Sequence, residues 1–67
     1  MLIHSISFDD KYYTKQSADK WLREHSYKPI SSRKSLNYFM YRIRPKEMFK
    51  SFVTKKIGHI NIVFGLI

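Results

Sequence analysis

The chain has 67 residues, enough for one domain with a thin core, and its 43% hydrophobic and 16% aromatic content excludes a disordered chain. It has no cysteine, which excludes disulfides, thiolate chemistry and Cys-containing zinc sites. The net charge of +8 lies entirely in residues 28–67, where nine cations accompany one anion. This asymmetry indicates a polyanionic partner, namely nucleic acid, an anionic membrane surface or an acidic protein, unless it only maintains solubility.

The first predicted elements are a strand and a helix. Residues 2–8 alternate between apolar and mostly polar side chains, with His4 in the apolar set, as a strand does. After a polar turn at residues 9–11, Thr14 is the expected helix N-cap, and Pro29 ends the helix near Ser26. The spacing i, i+3, i+4, i+7 predicts one apolar helical stripe, formed by Ala18, Trp21, Leu22 and His25.

A loop and a second strand are expected next. Residues 28–35 are rich in Ser and basic side chains and lack periodicity, so they predict an exposed loop. Residues 36–44 alternate as a strand, and its expected core positions are Phe39, Tyr41 and Ile43. The opposite face would then meet solvent or a partner with the side chains of Tyr38, Met40, Arg42 and Arg44.

The remaining segment predicts a short helix or turn followed by a third strand. Pro45 suits a first helical turn, and the apolar spacing at Met48, Phe49, Phe52 and Val53 favours an amphipathic helix that Gly58 would end. Residues 59–67 form the third predicted strand and are apolar on both faces. Such a strand is either central in its sheet or meets another subunit with its outer face.

Together these elements predict a single α+β domain over residues 1–67. Its three-stranded sheet would carry one or two helices on one face, in the order β-α-β-α-β, or β-α-β-β if the second helix is only a turn. Because a helix joins the first two predicted strands, a parallel right-handed crossover is expected if they are neighbours.

No set of residues predicts catalysis, a bound metal or a cofactor. The three histidines, His4, His25 and His59, lack the short spacing of zinc ligands, and the first two are expected to be partly buried structural residues. Asp9 and Asp10 are adjacent and better explained by a turn than by a pair of acid–base carboxylates. A membrane span or a signal peptide is not expected either, because the apolar runs are short and the N-terminus lacks a basic region.

The segment from Tyr38 to Arg44 carries the strongest functional pattern. A tyrosine ring for stacking and guanidinium groups for phosphate on one strand face are typical of single-stranded nucleic-acid binders. Half-buried strands also favour tyrosine generally, and edge charges guard against aggregation, so both explanations stay open. The candidate nucleic-acid-binding residues are Lys28, Arg33, Lys34, Tyr38, Arg42, Arg44, Lys46, Lys50, Lys55 and Lys56.

Several short motifs resemble a small recurrent domain of phage and large DNA-virus proteins. They are His-x-Ile-x-Phe from His4, Ala-x-x-Trp-Leu-x-x-His from Ala18, Tyr-Arg-Ile-Arg-Pro-x-x-x-Phe from Tyr41, and the closing Ile-x-Ile-Val-x-Gly from Ile60. The resemblance spans nearly the whole chain and implies a viral source and a β-α-β-type fold. It implies no catalytic residues.

The sequence therefore predicts a small non-enzymatic binding module, not secreted but located in a host cell or a virion. Nucleic acid, held by phosphate contacts and aromatic stacking, is the first expected partner. The alternative is a protein-interaction or virion-structural module. It would dock an acidic protein or self-associate, as a homo-oligomer, through its C-terminal strand at residues 60–67.

Overall fold

A computed structural model describes residues 2–67. The elements in chain order are β1 (Leu2–Asp9), α1 (Lys15–Glu24), β2 (Ser31–Lys34), β3 (Tyr38–Arg42), a single 3₁₀ turn (Lys46–Met48), β4 (Ser51–Ile57) and β5 (Ile60–Leu66).

All five strands form one antiparallel sheet in the order β2-β3-β1-β5-β4. The first strand of the chain is therefore the central strand, paired with β3 on one side and β5 on the other. β2 and β4 are the two edges. The sheet is a single layer with α1 against one of its faces, which we call the helix-side face. We call the opposite one the open face.

The N-terminus of α1 is fixed by a complete capping box. The backbone N–H of Ser17 donates to the Thr14 hydroxyl at 3.1 Å, and the backbone N–H of Thr14 donates to the Ser17 hydroxyl at 2.8 Å. Each hydroxyl satisfies a backbone donor, as the predicted cap at Thr14 requires. The helix ends before Ser26, which adopts a left-handed φ of 62°.

The core lies between α1 and the helix-side face. Ile6 and Phe8 of β1 are completely buried there, with Ala18 and Leu22 of α1 against them. The Phe8 ring meets three aromatic rings edge-on, at centroid distances of 5.2–5.7 Å; they belong to Tyr13, Trp21 and Tyr41. Because aromatic side chains bury large areas, one ten-residue helix is enough to cover this small core. The burial of Tyr41, with Phe39 and Ile43 packed against the core, confirms the face predicted for this strand.

The predicted three-stranded sheet is wrong, because two further strands form its edges. Residues 31–34, predicted as part of a loop, are β2 and pair with residues 39–42 of β3. All four residues of β2 are exposed and none is apolar, so hydrophobic alternation does not reveal this strand. Its charged side chains are typical of an edge strand, which must avoid pairing with other chains.

The predicted second helix is also wrong. After Pro45 the chain makes one 3₁₀ turn and then the seven-residue strand β4. The helical stripe rested on four apolar residues over little more than one turn, whereas Phe52, Val53, Thr54 and Ile57 are residue types that favour strands. Gly58 does not stop a helix but begins the two-residue loop between β4 and β5, with the positive φ of 60° that a type II′ turn needs at this position.

The expected parallel crossover between the first two predicted strands is corrected in the same way. The strand after the loop, β3, runs antiparallel to β1. The unforeseen β2 reverses the chain once more, so it is β2 that runs parallel to β1, with β3 between them.

The last strand, β5, is internal in the sheet, and an internal position was one of the two alternatives predicted for it. Both edges of β5 are paired, one with β1 and one with β4. At residues 60–66, another chain therefore has no free strand edge with which to pair. A contact there can be made only with the faces of β5. Within the part of the chain that the structure describes, α1 is too short and too polar to cross a membrane.

Candidate nucleic-acid interface

The open face is defined by cross-strand register. Residues directly opposite each other in an antiparallel pair point to the same side of the sheet. The partners of the buried Ile6 and Phe8 therefore lie on the helix-side face, and the residues that alternate with them lie on the open face. Its residues are Leu2, Ser5, Ser7, Asp9, Ser31, Arg33, Tyr38, Met40, Arg42, Phe52, Thr54, Lys56, Asn61, Val63 and Gly65.

One row of side chains crosses all five strands of this face. In sheet order it consists of Arg33, Met40, Ser7, Asn61 and Lys56. Four strand spacings of about 4.8 Å separate its ends, so the backbones of the two terminal cationic residues lie roughly 19 Å apart. Both are exposed, and neither forms a salt bridge within the described residues. The row is thus basic at both margins and neutral in between.

The next row is Ser31, Arg42, Ser5, Val63 and Thr54. Arg42 is exposed and lies diagonally next to Arg33, at the distance of roughly 7–8 Å that separates diagonal neighbours on adjacent strands. With Ser5, Ser31, Met40 and His4, the two arginines line an open pocket of about 270 Å³. Two guanidinium groups beside hydroxyl donors are a chemically suitable setting for a phosphate oxygen.

The centre of the open face is a shallow floor of small side chains. Ser5 and Ser7 of the central strand are only 8% and 9% exposed, so they form the bottom of this face. Within the described residues no helix covers this floor, since α1 packs on the other face. An extended polymer could therefore lie across it without displacing α1.

One end of the open face is closed by aromatic residues around a bulge. Between Ile3 and Ser5 the register of β1 against β5 shifts, and the extra residue is His4. The shift carries the His4 ring away from the helix-side face and against Phe52 and Phe49, at centroid distances of 4.9 and 5.9 Å. His4 is partly buried, as predicted, but among these rings rather than with Ile6 and Phe8. Phe49 in turn covers Gly65, where a Cβ atom would overlap its ring.

Both ring nitrogens of His4 are buried without a hydrogen-bond partner among the described residues. Burial lowers the pKa of His4, and the positive charges of Arg42 and Lys46 lower it further, while Glu47 opposes them. These effects favour the neutral form of the imidazole. We assign it to the structure of the bulge and not to chemistry on a ligand.

Arg44, a predicted binding residue, is tied to the same bulge. Its Nη1 donates to the carbonyl oxygen of Ile3 at 2.9 Å, and the carbonyl oxygen of His4 accepts from the backbone N–H groups of Ile43 and Arg44 at 2.8 and 3.2 Å. The side chain is half-buried. This role in holding the chain that follows β3 distinguishes Arg44 from Arg42, which is exposed and forms no salt bridge with any described residue.

The other predicted cations are distributed over both faces. Lys34 and Lys55 lie on the helix-side face, and Lys34 is paired with Asp10 at 2.9 Å. Lys28 lies in the exposed loop after α1. The segment before β4 carries Lys46 and Lys50, both exposed.

Tyr38 begins β3 on the open face, opposite Asp9, and is half-buried. Four predicted residues therefore share the open face: Arg33, Tyr38, Arg42 and Lys56. Sequence reasoning missed the residues between them, above all Ser5, Ser7 and Asn61. Their signal was weak, since small polar residues that alternate with a buried set are found on many solvent-facing strands.

Among the described residues, no three metal-binding side chains converge. His25, expected on the buried stripe, is exposed, and its ring stacks on Trp21 at a centroid distance of 3.9 Å. His59 stacks on Tyr12 at 3.4 Å. Comparison with family models, with curated proteins and with solved structures finds no match for this chain.

Proposed function

We propose that the chain is a non-enzymatic module that binds single-stranded nucleic acid across the open face of its sheet. The proposal places it where nucleic acid occurs, inside a host cell or a virion, and agrees with the viral resemblance of its motifs. The observation that carries it is the row from Arg33 to Lys56, which crosses an uncovered sheet with a free cation at each end.

The chemistry of the face supports a single strand rather than a duplex. A sheet face with a small polar floor offers room for splayed bases, and Tyr38 and Met40 give them apolar surface on β3. The element that would enter a major groove, α1, belongs to the half of the chain without excess charge. Its exposed side carries acidic as well as basic residues, including the paired Lys15 and Asp19.

The cations at the margins would bind the backbone. Arg33 and Arg42 lie at one side of the floor and Lys56 at the other, so a strand running along the row meets positive charge on entering and on leaving. Binding of this kind is largely independent of sequence and weakens with salt, because each neutralised phosphate releases counterions.

Two adjacent lysines of β4 provide a matched test. Lys56 lies on the open face and Lys55 on the helix-side face, and both are exposed. K56Q and K55Q therefore remove the same charge from the same strand on opposite sides. Binding of labelled oligothymidylate and its RNA counterpart is measured by fluorescence anisotropy between about 50 and 200 mM NaCl.

We expect K56Q to reduce the slope of log affinity against log salt by about 0.7, and the triple variant R33Q/R42Q/K56Q to reduce it by about 2. K55Q should leave the slope close to that of the unchanged chain. Equal effects of K55Q and K56Q would mean that only net charge matters, and a chain that does not bind at low salt would end the proposal.

A further inference from the structure

We infer that the free edge of β4 binds an extended acidic segment of a partner protein by strand addition. The site differs from the open face in using the unpaired backbone groups along the side of the sheet, although the two share the side chains of Lys56 and Phe52. Edge pairing of this kind supplies backbone hydrogen bonds for affinity and side-chain contacts for selectivity.

β4 is the longer of the two edges and carries the apolar side chains that β2 lacks. It has seven residues, all exposed, whereas β2 at the other edge has four. Phe52 on the open face is 41% exposed, and Val53 and Ile57 on the helix-side face are 47% and 55% exposed. An added strand would therefore find apolar neighbours on both faces of β4 as well as free backbone groups.

The charge of the edge selects the kind of partner. No acidic residue occurs from Lys50 to Ile67, and Lys55 and Lys56 stand side by side in β4. Because neighbours in a strand point to opposite faces, one lysine meets each side of an added strand. Two consecutive carboxylate side chains opposite them would be paired on both faces.

The same lysines disfavour a second copy of this chain. Symmetric pairing of two β4 edges would gather four lysines along one junction with no carboxylate between them. Like charges near each other across strands are destabilising, and edge lysines are a common guard against self-pairing. The β4 edge of one molecule therefore repels the β4 edge of another but can still pair with an acidic strand.

The probe is an end-blocked seven-residue peptide of Thr and Val with two adjacent Glu residues placed opposite Lys55 and Lys56. The matched control peptide carries Gln at those two positions. At low salt we expect the Glu peptide to bind about tenfold more tightly than the Gln peptide by anisotropy. Amide exchange, followed by NMR, should slow in β4 and not in β2.

A charge reversal tests the site within the protein. The K55E/K56E variant should no longer bind the Glu peptide. It should instead bind a third peptide that carries Lys at the same two positions. The control K28E, in the loop after α1, makes a single charge reversal far from the edge along the chain and should keep its preference for the Glu peptide. Circular dichroism verifies that each variant remains folded.

Three results would overturn the inference: unchanged exchange of the β4 amides in the presence of the Glu peptide, equal binding of the Glu and Gln peptides, or a dimer of the unmodified chain in light scattering. Loss of oligonucleotide binding in R33Q/R42Q with peptide binding retained would show that the edge and the open face act separately. The failure of one proposal is therefore distinguishable from the failure of the other.

Discussion

His4 is the extra residue of the bulge in β1, and this position determines the surroundings of its imidazole ring. The bulge places an imidazole among phenylalanine rings with neither nitrogen hydrogen-bonded, and burial together with Arg42 and Lys46 lowers its pKa. The folded chain therefore holds His4 neutral under conditions in which the unfolded chain would already bind a proton.

This depressed pKa gives a signed prediction for stability. At a pH well above about 6.5, the ordinary pKa of histidine, neither state is protonated and the full stability is present. As the pH falls below that value, the unfolded state binds the proton first, and the free energy of unfolding decreases. Urea unfolding at a series of pH values should show this loss.

The variant His4→Phe should abolish that part of the pH dependence and should be more stable than the unchanged chain in acid. Ser7→Ala, on the same strand and without a titratable group, is the control and should retain the loss. If His4→Phe and the unchanged chain lose stability in parallel, His4 is not the residue responsible.

Gly65 and Phe49 form a second tightly fitted pair. The Phe49 ring lies directly over the backbone of Gly65, so any Cβ atom there would overlap it. We expect Gly65→Ala to destabilise the fold by about 1–3 kcal/mol, as overpacking does. In the double-mutant cycle with Phe49→Ala, the added methyl group should cost much less, because the obstructing ring is gone. Additive losses would contradict the contact.

At the scale of elements, α1 depends on its capping box. Thr14→Ala removes the acceptor for the Ser17 N–H, and we expect a loss of about 1 kcal/mol in the free energy of unfolding. Lys20→Ala, on the exposed side of the same helix, is the control and should change stability by less than about 0.5 kcal/mol. Equal losses in the two variants would show that the cap is not responsible.

Elements with a clear hydrophobic period were predictable. The alternation in β1 and β3 and the stripe at Ala18 and Leu22 follow from burial on one side, which is what a periodic pattern records. The same alternation assigned Tyr38, Met40 and Arg42 to the face away from the core, so this part of the candidate site followed from the sequence.

The two edge strands were not predictable in this way. β2 buries nothing, and β4 is exposed along its whole length, so neither has a reason to alternate. What holds them is pairing with β3 and β5, an interaction of backbone groups that leaves little trace in side-chain type. The predicted cations at these edges, among them Lys34 and Lys55, could not be assigned to a face until the register was known.

At the scale of the whole molecule, positive charges greatly outnumber negative ones. A chain of 67 residues carries a net charge of +8, and its described residues form two salt bridges. Repulsion between cations opposes compaction, and salt screens it over a distance of about 8–10 Å at physiological concentrations.

We therefore expect the melting temperature to rise when NaCl is increased from about 20 to 200 mM at neutral pH, a range in which screening dominates. The variant K55Q/K56Q carries two fewer charges and should show a smaller rise. A melting temperature that falls with salt would mean that favourable ion pairs outweigh the repulsion, contrary to the distribution of charge described above.

Because β1 is the first strand of the chain as well as the central strand of the sheet, it is synthesised well before the strands with which it pairs. β1 leaves the ribosome before any of its partners, and Phe8 pairs with Ile60, which is 52 positions later in the chain. At about 5–20 residues per second, those positions take roughly 3–10 s to make. During that interval the strand with the most buried residues has one edge or both edges unpaired. During synthesis the domain is therefore most vulnerable to aggregation at β1, and its sheet is complete only after β5 has been made.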